Sequence, residues 1–308
     1  MKMTRRGFLS TGAAVSTTYL TARSDVAAAA VVETSGFATA NGNKLYYATL
    51  GRGMPVIFMH GGLGFDHHYF RPFVDPLADA AQVVYYDHLG HGKSDRPADF
   101  GEITLERLSS DCDALATALG FDKFVLVGHS YGGFVAFDFA FRFPNRLAGL
   151  VFTCTAPDLT SGQRNPLGGT KAQADALARR GQAANATDLE FRTNWTAVAP
   201  LYYNNASPPA GVLEDVDRRT IYSAAGANRG LEILGGYDFV SRLPNLKTPT
   251  AVQYGAGDIW RFGDNERIAK NVPGATLKYY ADSGHWPFQE EQSAFIADMR
   301  RFVASLTR

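Results

Sequence analysis

Five short apolar runs punctuate this chain, and three of them end in a cluster of glycine and histidine. Pro55–Met59 runs into His60-Gly61-Gly62-Leu63-Gly64. Gln82–Tyr86 runs into Asp87-His88-Leu89-Gly90-His91-Gly92. Phe124–Val127 runs into Gly128-His129-Ser130-Tyr131-Gly132-Gly133. Leu147–Phe152 and Thr250–Tyr254 complete the set. Runs this short, with no polar alternation, fit strands buried on both faces, which is the condition of a parallel sheet covered by helices on each side. The intervening segments carry the helical period. Leu105–Leu119 sets apolar residues at 105, 108, 112, 115, 116 and 119, with Gly120 as its stop. Tyr131–Phe143 is a second helix, ended by Pro144. Gln289–Leu306 is expected as one closing helix. Lys44–Leu50 reads as an early strand after an Asn41-Gly42 hairpin turn. Strands alternating with helices give an α/β fold with a mostly parallel central sheet. Ligand sites in such sheets lie beyond the carboxyl ends of the strands, where the Gly/His clusters fall.

Residues 157–243 break that rhythm. They hold no strong strand run but many aromatics, among them Phe191, Trp195, Tyr202, Tyr203, Tyr222 and Tyr237. The segment is too long for a plain connection and reads as a helical cap inserted between the fourth and fifth runs. Trp195, Tyr202 and Tyr203 are its candidate substrate-binding residues. The core is then 31–156 together with 244–308.

The first thirty residues read as an address. Arg5-Arg6, a weakly apolar stretch from Gly7 to Leu20 and a small-residue run from Val26 to Ala30 have the layout of a twin-arginine export signal, with cleavage within Ala28–Ala30. The expectation is an exported protein, periplasmic or secreted. The whole chain has 30 basic and 30 acidic residues. Lys2, Arg5, Arg6 and Arg23 against Asp25 give the first thirty a net +3, so the remainder carries −3. Such a balance leaves no basic footprint for nucleic acid. No run reaches 18 apolar residues, so no membrane span is expected in the mature form. Two cysteines, Cys112 and Cys154, exclude a disulfide scaffold and a Cys-rich zinc site. Export leaves a Cys112–Cys154 bridge open, and buried thiols are the plainer reading.

Gly128-His129-Ser130-Tyr131-Gly132 matches G-x-S-x-G between a strand run and a helix, the context that gives the motif meaning. Ser130 is the candidate nucleophile, set at a sharp turn and at the N-terminus of the next helix, where partial positive charge favours an anion. In folds built on such a turn, an acid and then a histidine follow the serine. His285 is the one histidine after Ser130, in the loop Asp282–Pro287. Asp258 follows the strand run Thr250–Tyr254 and is the candidate acid, with Asp238 and Asp264 as runners-up. The backbone amides of Gly62 and Tyr131 are the candidate oxyanion donors. His60, His88 and His91 read as hydrogen-bonding residues of their loops. A metal site built from these three is the alternative, but no spaced ligand motif supports it. No metal or other cofactor is expected.

His60–Gly64, Asp87–Asp95, Gly128–Gly133, Asp258 and His285 together resemble the α/β-hydrolase superfamily, over about residues 36–308. Within it the likeness is to proline iminopeptidases and related amidase-type serine hydrolases, with two departures. That family usually has H-G-G-P-G where this chain has Leu63, and often Trp where it has Tyr131. The resemblance implies a Ser130–His285–Asp258 triad. Its substrate would be a small molecule or short peptide carrying an ester, amide or N-terminal peptide bond. Cap carboxylates bind the substrate amine in that family, and Glu190, Glu214 and Glu232 are available without a motif to choose among them. A carboxylesterase, an acyl-lactone hydrolase and a cofactor-free haloperoxidase share the same residues. A ligand-binding protein with slow or no turnover is the reading from another class. Dehalogenases and epoxide hydrolases, with Asp at the nucleophile position, do not fit Ser130. A monomer or small homo-oligomer is expected.

Overall fold

The computed structural model describes residues 15–17, 32–159, 187–260 and 262–306. The expected export signal lies outside these residues, apart from Val15–Thr17. The strands are β1 (Val15–Thr17), β2 (Glu33–Ala40), β3 (Asn43–Leu50), β4 (Pro55–Met59), β5 (Gln82–Tyr86), β6 (Phe124–His129), β7 (Leu147–Thr153), β8 (Thr250–Gly255) and β9 (Thr276–Tyr280). From β2 to β9 they form an eight-stranded sheet, to whose edge β1 adds three residues, in the order β1-β2-β3-β5-β4-β6-β7-β8-β9. The β2–β3 and β3–β5 pairs are antiparallel, and every pair from β5 through β4 to β9 is parallel. The β2–β3 hairpin turns on Asn41 and Gly42, both at positive φ (46° and 88°), as its two-residue loop requires.

The central strands are apolar because they are covered on both sides. Every residue of β6 and β8 is buried, as are the last four of β4. Helix α1 (Leu105–Ala118) starts where the Thr104 hydroxyl accepts from the Arg107 amide at 3.0 Å. Helix α2 (Tyr131–Arg142) follows β6 directly and is almost wholly buried. The segment between β7 and β8 holds α3 (Asp188–Val198), α4 (Val212–Arg219) and α5 (Ala224–Ile233). Arginines pin it to the sheet layer. Arg96 reaches Asp188 (2.7 Å) and the Tyr222 carbonyl (2.6 Å), and Arg229 reaches the carbonyls of Ile103 (2.8 Å) and Gly101 (3.0 Å). Helix α6 (Phe262–Asn271) precedes β9. No described helix is long and apolar enough to cross a membrane.

The closing helix differs from expectation. It is two helices, α7 (Pro287–Glu290) and α8 (Gln292–Ser305), broken at Glu291 with φ −119° and ψ 48°. The physical reason is a contact back to the preceding loop. The Glu291 carboxylate turns back to accept from the Asp282 amide (2.9 Å) and the Ser283 hydroxyl (2.8 Å), ahead of the His285 loop.

Ile57 sits in β4 opposite Val84 on one side and Leu126 on the other, with no exposed surface. Ile57→Ala should cost about 2–5 kcal/mol from lost transfer energy and an unfilled cavity. The check is a lowered urea midpoint with an unchanged denaturant slope.

Candidate active site

Ser130 stands between β6 and α2 with φ 53° and ψ −120°, a backbone state that non-glycine residues rarely hold. The surroundings impose it. The Ser130 amide donates to the Thr153 carbonyl (3.0 Å), and its own carbonyl accepts from the Gly133 amide (2.9 Å) and the Thr155 hydroxyl (2.8 Å). The flanking glycines are there for space. A methyl group on Gly128 would lie 2.7 Å from the Gly132 carbonyl, and one on Gly132 would run into the Met59 carbonyl at the end of β4. The motif spacing therefore lets a helix start pack against two strands without side chains between them.

His285 and Asp258 meet across the ends of β9 and β8. His285 Nδ1 lies 2.6 Å from Asp258 Oδ1, and both side chains are buried. The imidazole ring is placed by its backbone as well, because the His285 amide donates to the Tyr202 carbonyl at 2.7 Å. Burial pushes the Asp258 carboxyl well above the usual range, while the Trp260 amide, the Cys154 thiol and the Ile259 amide pull it down. A carboxylate so deprived of water gains from an imidazole N–H beside it. The runners-up serve elsewhere. Asp264 pairs with Arg267 (2.9 Å) in the first turn of α6, and Asp238 accepts from the Val240 amide (2.8 Å). Cys112 and Cys154 are both free and buried, so the open question of a bridge is answered by two thiols.

Two groups of potential metal ligands occur among the described residues, Cys154–Asp258–His285 and Asp66–His67–His68. In each, an imidazole Nδ1 is already bonded to the carboxylate, at 2.6 Å for His285 and 2.9 Å for His68. The His60–His88–His91 alternative is not among these groups. His60 Nδ1 faces the Gly61 carbonyl and Nε2 accepts from the His88 amide (3.0 Å). His88 Nε2 faces the His60 carbonyl, and His91 Nδ1 the Leu89 carbonyl. Burial lowers His60 and His88 and brings His91 to about 3, so these rings are neutral struts under the loops.

Gly62, at φ 64°, and Tyr131 line the same cavity as Ser130 and His285. What sets the Gly61–Gly62 loop was not evident from the motifs. The Gly61 amide donates to the Tyr69 hydroxyl, that hydroxyl donates to His129 Nδ1 (3.0 Å), and His129 Nε2 donates to the His285 carbonyl (2.8 Å). One relay thus spans the loop, the turn and the histidine. His129 was visible as the first variable residue of G-x-S-x-G, whereas nothing local singles out Tyr69.

The cavity itself measures about 140 Å³. Its walls are largely apolar and aromatic, including Leu63, Phe134, Phe191, Trp195, Tyr202, Leu234, Trp260 and Trp286, and no described Asp or Glu lines it. Of the expected binding residues, Trp195 and Tyr202 line it. Tyr203 does not. It lies behind Trp286, its ring nearly parallel at 5.8 Å, and its hydroxyl is spent on Gln289 at 2.5 Å. Glu214 lines a second cavity of about 200 Å³ with Asp217. Glu190 closes a capping box with Thr187, and Glu232 is exposed beside Arg229.

The sheet order and the strand–Ser130–helix turn define a hydrolase of the α/β type. The chain belongs to the alpha/beta hydrolase fold family, whose family model matches residues 54–292. Two curated relatives extend over most of it. A proline iminopeptidase of Saccharolobus solfataricus is 24% identical over 271 residues, covering 83% of this chain and 87% of the relative. A cis-3-alkyl-4-alkyloxetan-2-one decarboxylase of Shewanella oneidensis is 28% identical over 289 residues, covering 87% of each. Among solved structures, an esterase from Exiguobacterium antarcticum superposes with a TM-score of 0.73 at 21% identity. It covers 88% of this chain and 99% of the esterase, and shows the shared fold.

Two expectations follow from this geometry. Tyr69→Phe leaves the Gly61 amide and His129 Nδ1 without their buried partner and should cost about 1–3 kcal/mol, read as a lowered urea midpoint. The second concerns acid. His60, His88, His91 and His129 are all held below the free-imidazole value by burial. The unfolded chain takes up their protons near pH 6.5 and the folded chain refuses them. Their contribution is whole above that pH and is lost as pH falls toward about 3 for His91. Urea midpoints should therefore drop steadily from pH 6.5 to 4, and His91→Gln should make the drop shallower.

Proposed function

We propose that this protein is a serine hydrolase that cleaves small, uncharged and largely apolar esters or lactones through an acyl-enzyme. In this reading Ser130 Oγ attacks the carbonyl carbon while His285 Nε2 takes its proton. Asp258 holds the Nδ1–H and stabilises the imidazolium that forms. The amides of Gly62 and Tyr131 receive the oxyanion, each worth about 3–4 kcal/mol in sites of this kind. The imidazolium returns its proton to the leaving oxygen, and water then releases the acyl group by the same steps in reverse.

The observation that carries this choice is the cavity wall. Ser130 and His285 open onto aromatic and aliphatic side chains with no described carboxylate. An unpaired ammonium is costly to bury on such a surface, whereas an acyl chain gains from it. An oxetan-2-one is itself a four-membered lactone, so the name of the Shewanella relative agrees with a cyclic ester. The second reading, a proline iminopeptidase, is favoured by the identity to the Saccharolobus enzyme over 83% of the chain. We further propose that Arg5-Arg6 directs export by the twin-arginine route. Fractionation of cells tests this. The unaltered chain should leave the cytoplasm, and a chain carrying both Arg5→Lys and Arg6→Lys should be retained there.

The function is tested by comparing short acyl esters and acyl lactones with prolyl and other aminoacyl anilides. Esters or lactones should turn over fastest, and fast anilides with inert esters would select the aminopeptidase instead. Ser130→Ala should lower kcat by about 10⁵–10⁶ in a protein that stays folded. Failure of a fluorophosphonate to label Ser130 would leave only a ligand-binding role.

A further inference from the structure

Behind the His285 loop lies a carboxylate to which the chemistry above gives no part. Glu290 closes helix α7. Its Oε2 accepts from the Gly284 amide at 2.8 Å, and its Oε1 accepts from the Asn204 amide at 2.8 Å. Gly284 immediately precedes His285. Asn204 stands two residues after Tyr202, whose carbonyl takes the His285 amide at 2.7 Å. A single side chain therefore staples the loop carrying the imidazole to the turn of the cap that walls the cavity. Gly284 has no room to shift toward that turn, since a methyl group on it would lie 2.5 Å from the Tyr202 carbonyl and 2.7 Å from the Asn204 amide.

We propose that Glu290 is a positioning residue for the reaction, its ionised carboxylate fixing the His285 loop against the cap and its protonation releasing one of the two amides. This rests on the reading of His285 as the base. The chemistry of release is simple. A carboxylate offers each amide an oxygen, whereas a carboxylic acid turns one oxygen into a donor that faces an N–H. The groups facing Glu290 hold it near that transition. Burial raises its carboxyl to about 7, against the pull of the Asn204, Gly284 and Trp286 amides, and the Asp258 charge adds to the rise. Cys154, from the turn after β7, and Tyr203, from the cap, also face it. Glu291 beside it turns to Asp282 and Ser283 instead. No ion pair to Glu290 occurs among the described residues, so backbone amides are what hold it.

Loss of one amide would loosen the loop as pH falls through about 7. The test is the pH dependence of kcat/KM on a short acyl ester, which reports ionisations of the free enzyme. For the unaltered protein, log kcat/KM should carry a step near pH 7 in which about 10–100-fold is lost as Glu290 takes up its proton. Glu290→Gln cannot accept from both amides, so it should lose about 10–100-fold at pH 8 and lack that step. The same step in Glu290→Gln, or an unchanged rate in that variant, would overturn the proposal. Hydrogen exchange of the Gly284 and Asn204 amides decides it without turnover. Protection, corrected for intrinsic rate, should fall between pH 8 and pH 6 in the unaltered protein, and equal protection at both would sink the idea. Should Ser130 fail to label and Ser130→Ala match the parent, the hydrolase reading falls while these amides still report on the staple.

Discussion

The whole site is referenced to one crowded crossing, where the first turn of α2 passes beneath the carboxyl end of β4. Gly132 lies there with no space for a side-chain carbon beneath the Met59 carbonyl. That proximity fixes how far the helix start sits from the loop at Gly61 and Gly62. It also forces Ser130 into its positive φ, because the chain has no length left in which to turn more gently. Everything else is hung on this point. The Thr153 carbonyl and Thr155 hydroxyl secure it from β7 and the residues after it, and the Tyr69–His129 relay carries its position to the His285 loop.

Electrostatics around the crossing are managed by keeping charge out. His60 and His129 use both ring nitrogens on backbone groups or on Tyr69, His88 uses its Nε2 on the His60 carbonyl, and burial keeps all three unprotonated. A neutral imidazole that both donates and accepts can join two loops where a charged one could only donate. Asp87, by contrast, is held ionised, well below the usual carboxylate range. Burial alone would raise it, but His67 at 2.7 Å and the Lys93 amide at 2.9 Å outweigh that. The loop after β5 is thus pinned by one anion with its partners in place, next to rings that carry no charge.

Much of this was legible in the chain. Parallel strands buried on both faces leave unbroken apolar runs, so β4 to β8 could be read directly. The turn at Ser130 announces itself because its glycines are required by steric contact. His285 followed from order alone, and Asp258 from its place after β8. What stayed hidden depends on contacts between distant segments. Tyr202 and Tyr203 are neighbours of the same type, yet one ends a 3₁₀ turn facing the cavity and the other turns behind Trp286. No local pattern distinguishes them. The break at Glu291 is likewise set by Asp282 and Ser283, nine and eight residues earlier, and overrides a helical period that continues across it.

The bond from the His285 amide to the Tyr202 carbonyl has a consequence for how such a chain can change. It joins cap to core through main-chain atoms on both sides, as does the Asn204 amide on Glu290. Main-chain groups are supplied by any residue except proline at an amide, so other substitutions in this turn are free to reshape the cavity wall without touching the joint. A change in its length is not. One residue added or removed between Tyr202 and Asn204 would put the carbonyl and the amide out of register with the loop they hold. The cap can therefore drift in sequence, and in what it admits, while its path over the histidine stays fixed.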